Sequence, residues 1–271
     1  MPDKKFDTQH DPLSGPLSDT LPAGAIYGFD IVIEGTTATG ETLTLDDIAD
    51  SIRVNRDGTP IQNESYEYWN RVGQLWWGSL PEPSGNAAVD ERVVARVLFS
   101  LPDFPNVLRI ESDEIRYNID FNSGTLTTRF DSNGATARIL PIYAPALSER
   151  YQLVVRPDDK SFSGEGEDGE SYNERNIARV HFQDPSDVVD RVYIEQGDRT
   201  AVQSITLDEL NDDSGFFNRV ENEVPTLVEW DGVFSLREQS LQKPAPLRYE
   251  LQVSGAGTVE VTRMIAAPAR G

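Results

Sequence analysis

The sequence predicts an all-β protein made of two copies of one β-sandwich unit, with few short helices. Two observations carry this prediction. Ten or more segments alternate apolar and polar residues, or concentrate β-branched and aromatic residues, and both patterns are typical of strands. Helix signals are few and short, and no strand–helix–strand alternation occurs, so the pattern does not fit a parallel sheet covered by helices.

The strand signals of the first half begin after a polar stretch. They cover residues 26–33, 52–55, 93–99, 115–121 and 126–130, and turn signals at 56–58, 122–124 and 132–134 lie between or beside them. Residues 43–49 contain Thr44-Leu45-Asp46 and predict a short helix with acids in its first turn. Residues 66–77 fit either an amphipathic helix or a pair of aromatic strands, because their periodicity matches both.

The second half shows the same kind of pattern. Its strand signals cover residues 177–182, 189–194, 227–236, 247–253 and 259–264, and residues 205–210 predict a second short helix. Residues 158–170 contain six carboxylates and one lysine, and we expect them to form a solvated surface loop.

The two halves repeat one another. Four pieces occur in the same order at similar spacing: residues 29–33 and 178–182; Ile52-Arg53-Val54 with Gly58 and Val192-Tyr193-Ile194 with Gly197; Phe99-Ser100-Leu101 and Phe234-Ser235-Leu236; Leu108-Arg109 and Leu247-Arg248. Together they indicate two copies of one unit, joined near the stiff Pro141 and Pro145. We predict an N-terminal tail over residues 1–20, a first unit over 21–145 and a second over 146–268.

The composition excludes several classes of function. The chain has 271 residues, 46 acidic and 24 basic side chains, a net charge of −22, two histidines and no cysteine. Disulfide frameworks and thiolate sites are therefore excluded, and a multi-histidine metal centre or a histidine-based triad has almost no raw material. The charge would repel phosphate, so we expect no direct contact with nucleic acid. Twenty arginines against four lysines, on an acidic background, also suit a halophilic protein.

No stretch of the chain has the roughly 18–20 apolar residues that cross a bilayer. The first 15 residues are polar and carry three aspartates, which does not fit a signal peptide. We therefore expect synthesis in a cytoplasm.

The order of the strands resembles that of a known family. Leu21-Pro22-Ala23-Gly24, residues 27–35 and residues 52–58 are similar to the opening of double jelly-roll major capsid proteins, and so are residues 176–182 with 188–194. The resemblance is strongest to the corticoviruses, which are tailless icosahedral bacteriophages with an internal membrane. It covers roughly residues 20 to 266 at low identity and implies two eight-stranded jelly rolls side by side.

This resemblance implies a structural protein of the virion and no enzyme. It implies homotrimers of pseudo-hexagonal outline that tile an icosahedral shell around the internal membrane. The implied partners are other copies of the chain, neighbouring capsomers, other capsid proteins such as a penton and the viral membrane, with no small-molecule substrate and no required cofactor. Synthesis would take place in the host cytoplasm.

Residues 158–170, which we call the acidic stretch, are the one candidate for a metal site. Residues 164–169 fit the pattern G-x-G-x-x-G, but their carboxylates would repel a dinucleotide and no helix signal follows. Glu165, Glu167, Asp168 and Glu170 are candidate ligands of Ca²⁺, which binds six to eight oxygens. EF-hand spacing is absent, and a solvated loop explains the same residues.

The tryptophans leave two interpretations open. Trp69, Trp76, Trp77 and Trp230 are candidates for a core or a subunit interface. Beside paired carboxylates they could instead be sugar platforms, which would favour a carbohydrate-binding β-sandwich or a glycosidase of a halophilic microbe. A minor capsid or spike-base subunit is a further alternative.

The N-terminus carries half of the lysines. Lys4 and Lys5 lie in the polar tail, where a short basic end could face anionic headgroups under the shell. A tail with two incidental lysines is the alternative.

Overall fold

The computed structural model describes residues 8–111, 115–172, 177–196, 203–205, 228–231 and 247–268. The chain divides into two compact units, of which the first ends at Leu153 and the second covers Val154–Pro268. Among the described residues, no helix is both long and apolar enough to cross a membrane.

The first unit is built mainly from strands. Its described elements are β1 (Thr8–His10), a 3-10 helix (Pro12–Ser14), β2 (Leu17–Thr20), β3 (Gly24–Thr37), β4 (Ala49–Arg56), β5 (Thr59–Glu64), α1 (Tyr66–Trp77), β6 (Asp90–Leu98), β7 (Leu108–Ile110), β8 (Ile115–Phe121), α2 (Ser123–Arg129) and β9 (Phe130–Tyr143). One sheet has the order β1-β9-β3-β6, with β7 also pairing β3, and the other has the order β2-β8-β4-β5.

The two sheets of the first unit enclose its core. Strand β8 shows the period-two pattern that this requires, because Ile115, Tyr117, Ile119 and Phe121 are buried while the residues between them are not. The ring of Tyr117 meets that of Phe29 on β3 in the other sheet, with centroids 5.6 Å apart. Both side chains are fully buried, so this pair lies in the middle of the sandwich.

The second unit repeats this arrangement. Its described strands are β10 (Tyr151–Pro157), β11 (Lys160–Ser163), β12 (Gly166–Tyr172), β13 (Ile177–Gln183), β14 (Val189–Gln196), β15 (Gln203–Ile205), β16 (Val228–Asp231), β17 (Leu247–Val253) and β18 (Ala256–Pro268). One sheet has the order β10-β18-β13-β16, with β11 also pairing β18, and the other has the order β12-β17-β14-β15. Phe182 and Tyr249 join the two sheets, with ring centroids 5.7 Å apart.

Both units have the same topology. If β7 and β11 are set aside and the eight remaining strands of each unit are numbered in chain order, both units have sheets of order 1-8-3-6 and 2-7-4-5. This is the strand order of the jelly roll, in which Greek-key connections cross between two packed sheets. The predicted all-β fold of two eight-stranded jelly rolls is confirmed.

The strand predicted at residues 126–130 is wrong. Residues 123–129 form helix α2, in which Leu126 N–H donates to the carbonyl oxygen of Asn122 at 2.8 Å. The hydroxyls of Thr127 and Thr128 donate to backbone carbonyls within the helix. The side-chain hydroxyls of two residues that otherwise favour strands are thus hydrogen-bonded. Arg129 at its end pairs with Glu41 and Asp47, so tertiary contacts override the local preference.

Two local predictions in the first unit differ from the structure for similar reasons. Residues 45–48 form a turn rather than a helix, closed by Asp47, whose carboxylate accepts from Thr44 N–H at 2.9 Å. The turn predicted at 132–134 lies inside β9 as a bulge, because Phe130 pairs with Thr37 and Ala135 with Gly35. The helix predicted at 205–210 lies outside the described residues except for Ile205.

Residues 8–20 belong to the first sandwich, whereas the sequence assigned them to a tail. Strand β1 pairs with β9 and β2 pairs with β8. The 3-10 helix between them is capped by Asp11, whose carboxylate accepts from Leu13 N–H at 2.9 Å. These strands are short, so their alternation is too brief to be recognised.

The connection between the units is bonded to the first one. The Asn106 side chain is fully buried and bonds the backbone of Arg150 and Tyr151, and the Tyr151 hydroxyl donates to the carbonyl of Phe104 at 2.7 Å. Burial raises the pKa of the Tyr151 phenol. Residues up to 153, which include the start of β10, therefore stay with the first unit, and the rest of β10 belongs to the second. The boundary lies after the expected position at 145.

The sequence repeat is also partly reassigned. Leu108-Arg109 opens β7, which has no counterpart among the described strands of the second unit. The counterpart of β17 is β8, and Ile115-Arg116-Tyr117 matches Leu247-Arg248-Tyr249. Residues Gly197 and Phe234-Ser235-Leu236 lie outside the described residues.

Candidate functional site

Helix α1 carries three of the four tryptophans. It begins at Ser65, whose hydroxyl accepts from Tyr68 N–H at 3.0 Å, and Glu67 lies in its first turn. It ends at Gly78, which has a φ of +84° and therefore suits glycine. The open choice for residues 66–77 is thus decided in favour of a helix.

Polar side chains fix α1 on the sheet. Asn70 is fully buried and donates to the carbonyl oxygen of Val94 at 2.7 Å, and Gln74 donates to Asn70 at 2.5 Å. The Tyr66 hydroxyl donates to the carbonyl oxygen of Ile31 at 3.0 Å, and burial raises its pKa well above the ordinary value. Because these bonds are buried, the helix is held in one orientation.

In that orientation the tryptophans differ in their exposure to solvent. Trp69 is fully buried, so of the two alternatives it belongs to the core and not to a subunit interface. Trp77 is 39% exposed and Trp76 is partly exposed. Trp230 lies on β16, but its side chain is outside the description.

The exposed end of α1 forms an aromatic patch of Tyr27, Trp76 and Trp77. The ring of Trp77 meets Trp76 at 5.6 Å and Tyr27 at 6.2 Å between centroids, both edge-on. Burial raises the pKa of Tyr27, while Ser100 and Arg96 oppose the rise. Rigid aromatic rings at a surface are the usual anchors of protein interfaces.

The charges near the patch are paired within the unit. Arg96 binds both carboxylate oxygens of Asp30, at 2.7 and 3.0 Å, and Arg71 binds Glu82 at 3.1 Å. Hydrogen bonding to Asp30 raises the pKa of Arg96. Since these cations are already engaged, the patch offers mainly apolar contact.

Most of the acidic stretch, residues 158–170, lies in strands β11 and β12 and not in a loop. We call residues 160–172 the β11–β12 segment. Strand β12 pairs with β17 over its full length, from Gly166 opposite Val253 to Tyr172 opposite Leu247. Gly169 permits this pairing, because a Cβ there would lie 2.2 Å from the Tyr249 carbonyl oxygen. The acidic side chains of β12 are exposed, so their charge does not prevent the pairing.

The proposed calcium ligands lie on or beside this strand. Glu165 lies before β12, and Glu167, Asp168 and Glu170 line an open groove of about 340 Å³ together with Arg248 and Glu250. No group of three or more His, Asp or Glu side chains in the described part of the chain is arranged to hold a metal ion. Glu170 is instead paired with Lys160 at 2.8 Å.

A polar cluster that the sequence did not predict joins the β11–β12 segment to the strands with which it pairs. We call Asp158, Lys160, Tyr172, Tyr249 and Arg263 the Asp158 cluster. The Tyr172 and Tyr249 hydroxyls both donate to Asp158 Oδ2, the latter at 3.1 Å. Arg263 lies 3.9 Å from the same oxygen, with its guanidinium carbon 4.2 Å from the Tyr172 ring centroid.

Burial and charge shape the acidity of this cluster. Burial raises the pKa of Tyr172 and Tyr249, and the neighbouring carboxylate adds to both rises. Burial lowers the pKa of Lys160, but bonding to Glu170 and attraction to Asp158 outweigh it, so the net shift is upward. Burial also raises the pKa of Asp159. The one signal in the sequence was a single lysine among six carboxylates.

Lys4 and Lys5 lie outside the described residues. Their expected contact with a membrane therefore stays a prediction.

The chain was also compared with known proteins. No protein-family model and no curated protein sequence matches it. Among solved structures, the major capsid protein P2 from bacteriophage PM2 aligns with 98% of this chain and 100% of its own, at a TM-score of 0.61 and 13% identity. The STIV MCP aligns over 96% and 97%, at 0.63 and 10%. The PBCV-1 virus capsid aligns over 98% and 94%, at 0.59 and 7%.

These alignments extend over nearly the whole of each chain, so both jelly rolls take part. The identities are low, and what is shared is the fold. The chain has the double jelly-roll fold of viral major capsid proteins.

Proposed function

We propose that this chain is a viral major capsid protein that forms pseudo-hexagonal homotrimers and tiles an icosahedral shell around an internal membrane. The supporting observation is that one chain contains two jelly rolls of identical strand order and aligns with the whole of a phage major capsid protein. Three such chains bring six similar units into a ring, which gives a near-sixfold outline from a threefold assembly. The role is structural and uses no catalytic residue.

The aromatic patch supports a lateral contact between copies. Trp76 and Trp77 are held by a helix whose position is fixed by buried hydrogen bonds, and Tyr27 lies on β3 against them, so little side-chain freedom is lost on binding. The surrounding acidic surface would keep unassembled copies soluble. In this proposal the patch joins copies of this chain, and neighbouring capsomers, other capsid proteins such as a penton and the viral membrane are further partners.

The native mass of the purified protein tests the proposal. One chain weighs 30.2 kDa, so a trimer would weigh about 91 kDa. We expect this mass in analytical ultracentrifugation, and hexagonal particles by negative-stain imaging. A monomer at every concentration, or a glycan-binding monomer, would contradict the proposal.

A variant of the patch tests the lateral contact separately. We expect Trp77→Ala to weaken self-association at least tenfold, because hot-spot tryptophans contribute about 2 kcal/mol or more. Tyr143→Ala is the matched control, since Tyr143 is 46% exposed in the same unit and outside the patch. Equal association of the two variants would remove the patch from the interface and leave the trimer to other surfaces.

A further inference from the structure

The β11–β12 segment connects the two sheets of the second unit. Strand β11 pairs with β18, from Lys160 opposite Val259 to Ser163 opposite Ala256. Strand β12 pairs with β17, which belongs to the other sheet. The segment therefore passes from one sheet of the sandwich to the other.

The β11–β12 segment contributes little to the hydrophobic core. Of its apolar side chains, Tyr172 is buried and Phe162 is partly buried against the core, while most residues of β12 are exposed. By contrast, all seven residues of β13 are buried, and β13 is paired on both sides, with β16 and β18. Segments with few buried apolar contacts open at low free energy, so the two strands should differ greatly in local stability.

Like charges also oppose closure of the β11–β12 segment. Glu165, Glu167, Asp168 and Glu170 follow one another within six residues, and Glu250 lies opposite Gly169 on β17. Like charges on adjacent strand positions destabilise the pairing. Lys160 and Arg248 offset part of this repulsion by pairing with Glu170 at 2.8 Å and with Glu250 at 3.0 Å.

Asp158 holds this segment on the two sheets through hydrogen bonds and ion pairs. Its Oδ2 accepts from Tyr172 on β12 and from Tyr249 on β17, and it lies 3.9 Å from Arg263 on β18. Its Oδ1 lies 3.7 Å from Lys160 on β11. One carboxylate thus links β11 and β12 to the strands with which they pair.

We propose that the β11–β12 segment is a strap that opens while the rest of the sandwich stays folded, and that Asp158 is the latch that holds it closed. This inference concerns the second unit alone and does not depend on the function proposed above. Hydrogen bonds to a charged acceptor are stronger than those between neutral groups, so removing this acceptor should release the strap before any other part.

Hydrogen exchange on the full chain, read peptide by peptide, tests the proposal. In the wild type we expect residues 160–172 to exchange at least tenfold faster than residues 177–183. In Asp158→Ala we expect residues 160–172 to exchange at least a further tenfold faster, with no change at 177–183. Asp158→Asn keeps an acceptor oxygen and should give an intermediate rate. Tyr172→Phe removes one donor, leaves the carboxylate in place and should accelerate exchange less than Asp158→Ala.

Asp30→Ala is the matched control, because it breaks the Arg96 pair in the first unit and should leave residues 160–172 unchanged. Three results would overturn the proposal. One is equal protection of 160–172 and 177–183 in the wild type. Another is equal acceleration of both segments in Asp158→Ala. The third is no acceleration of 160–172 in either Asp158→Ala or Tyr172→Phe.

Discussion

The two jelly rolls have equivalent cores but connect their first two strands in different ways. Phe29 with Tyr117 and Phe182 with Tyr249 join equivalent strands across the two sandwiches at nearly the same distance. In the first unit the link between the first two strands is a short 3-10 helix capped by Asp11, whereas in the second it contains β11 and three carboxylates, Asp158, Asp159 and Glu165. The shared fold therefore depends on the apolar pairs, while the connections are free to differ.

The equivalent tyrosines show the same division. Tyr117 and Tyr249 are both fully buried in the cores of their units. Burial raises the pKa of Tyr117 to about 12. The Tyr249 hydroxyl donates to Asp158, so the second unit supplies a charged acceptor at the equivalent position. A polar network was thus built on one copy of the core without changing its topology.

The largest expected effect tests whether the two aromatic pairs are equivalent. Phe29→Ala and Phe182→Ala should each destabilise their own unit by about 3–5 kcal/mol, through lost burial and the cavity left behind. Hydrogen exchange of β3 and β13 peptides measures each unit separately. Ser161→Ala, at an exposed position, should stay within about 0.5 kcal/mol of the wild type. A clear inequality between the two phenylalanine variants would show that the cores are not equivalent.

The next prediction concerns the connection between the units. The Glu149 carboxylate binds Arg56 at 2.5 Å and accepts from Arg109 N–H at 2.9 Å, and the Arg56 and Glu149 side chains are 8% and 10% exposed. Glu149→Ala removes the carboxylate partner of a buried arginine and should cost about 3 kcal/mol in the first unit. Glu34→Ala breaks the more exposed pair with Arg92 and should cost less than about 1 kcal/mol in urea unfolding. Similar costs would mean that the connection is not held by this pair.

The third prediction uses alkaline pH to separate the two tyrosines. A phenol whose pKa is raised on folding stabilises the protein fully below its unfolded pKa, near 10, and loses this contribution as the pH rises through the folded value. For Tyr117 the loss falls between about 10 and about 12. Tyr117→Phe should reduce the alkaline loss of the first unit with little effect at neutral pH.

Tyr249→Phe should behave differently, because it also removes a hydrogen bond to Asp158. We expect it to weaken the second unit already at neutral pH by about 1.5–3 kcal/mol. Chemical unfolding at pH 7 and pH 11 measures both variants. Identical pH profiles for the two would contradict the difference described between the units.

The smallest expected effect concerns salt. Sodium chloride screens exposed like charges, so the exchange of residues 160–172 should slow as ionic strength rises, by an amount on the order of 0.5 kcal/mol. The double variant Glu167→Gln with Asp168→Asn should remove most of this dependence. Residues 8–20 of the first unit lack such a run of acids and serve as the internal control. Equal salt dependence in both segments would assign the effect to the whole chain.

The sequence alone predicted the fold class, the duplication and the resemblance to double jelly-roll capsid proteins. These depend on patterns that repeat over many residues, such as the buried alternation of Ile115, Tyr117, Ile119 and Phe121. Period-two alternation is local and survives low sequence identity. The sequence also placed Trp76 and Trp77 among the candidate interface residues, although it grouped them with the buried Trp69.

The tertiary structure alone decided the elements whose local signals were short or opposed by distant contacts. Arg129 makes a helix of a strand-like segment by pairing with Glu41 and Asp47, more than 80 residues earlier. Strand β17 overrides the loop-like charge of β12, and Asp158 gathers Tyr172, Tyr249 and Arg263 from three different strands. Such contacts join residues far apart in the chain. The free energy that selects them comes from burial and pairing, which no local pattern records.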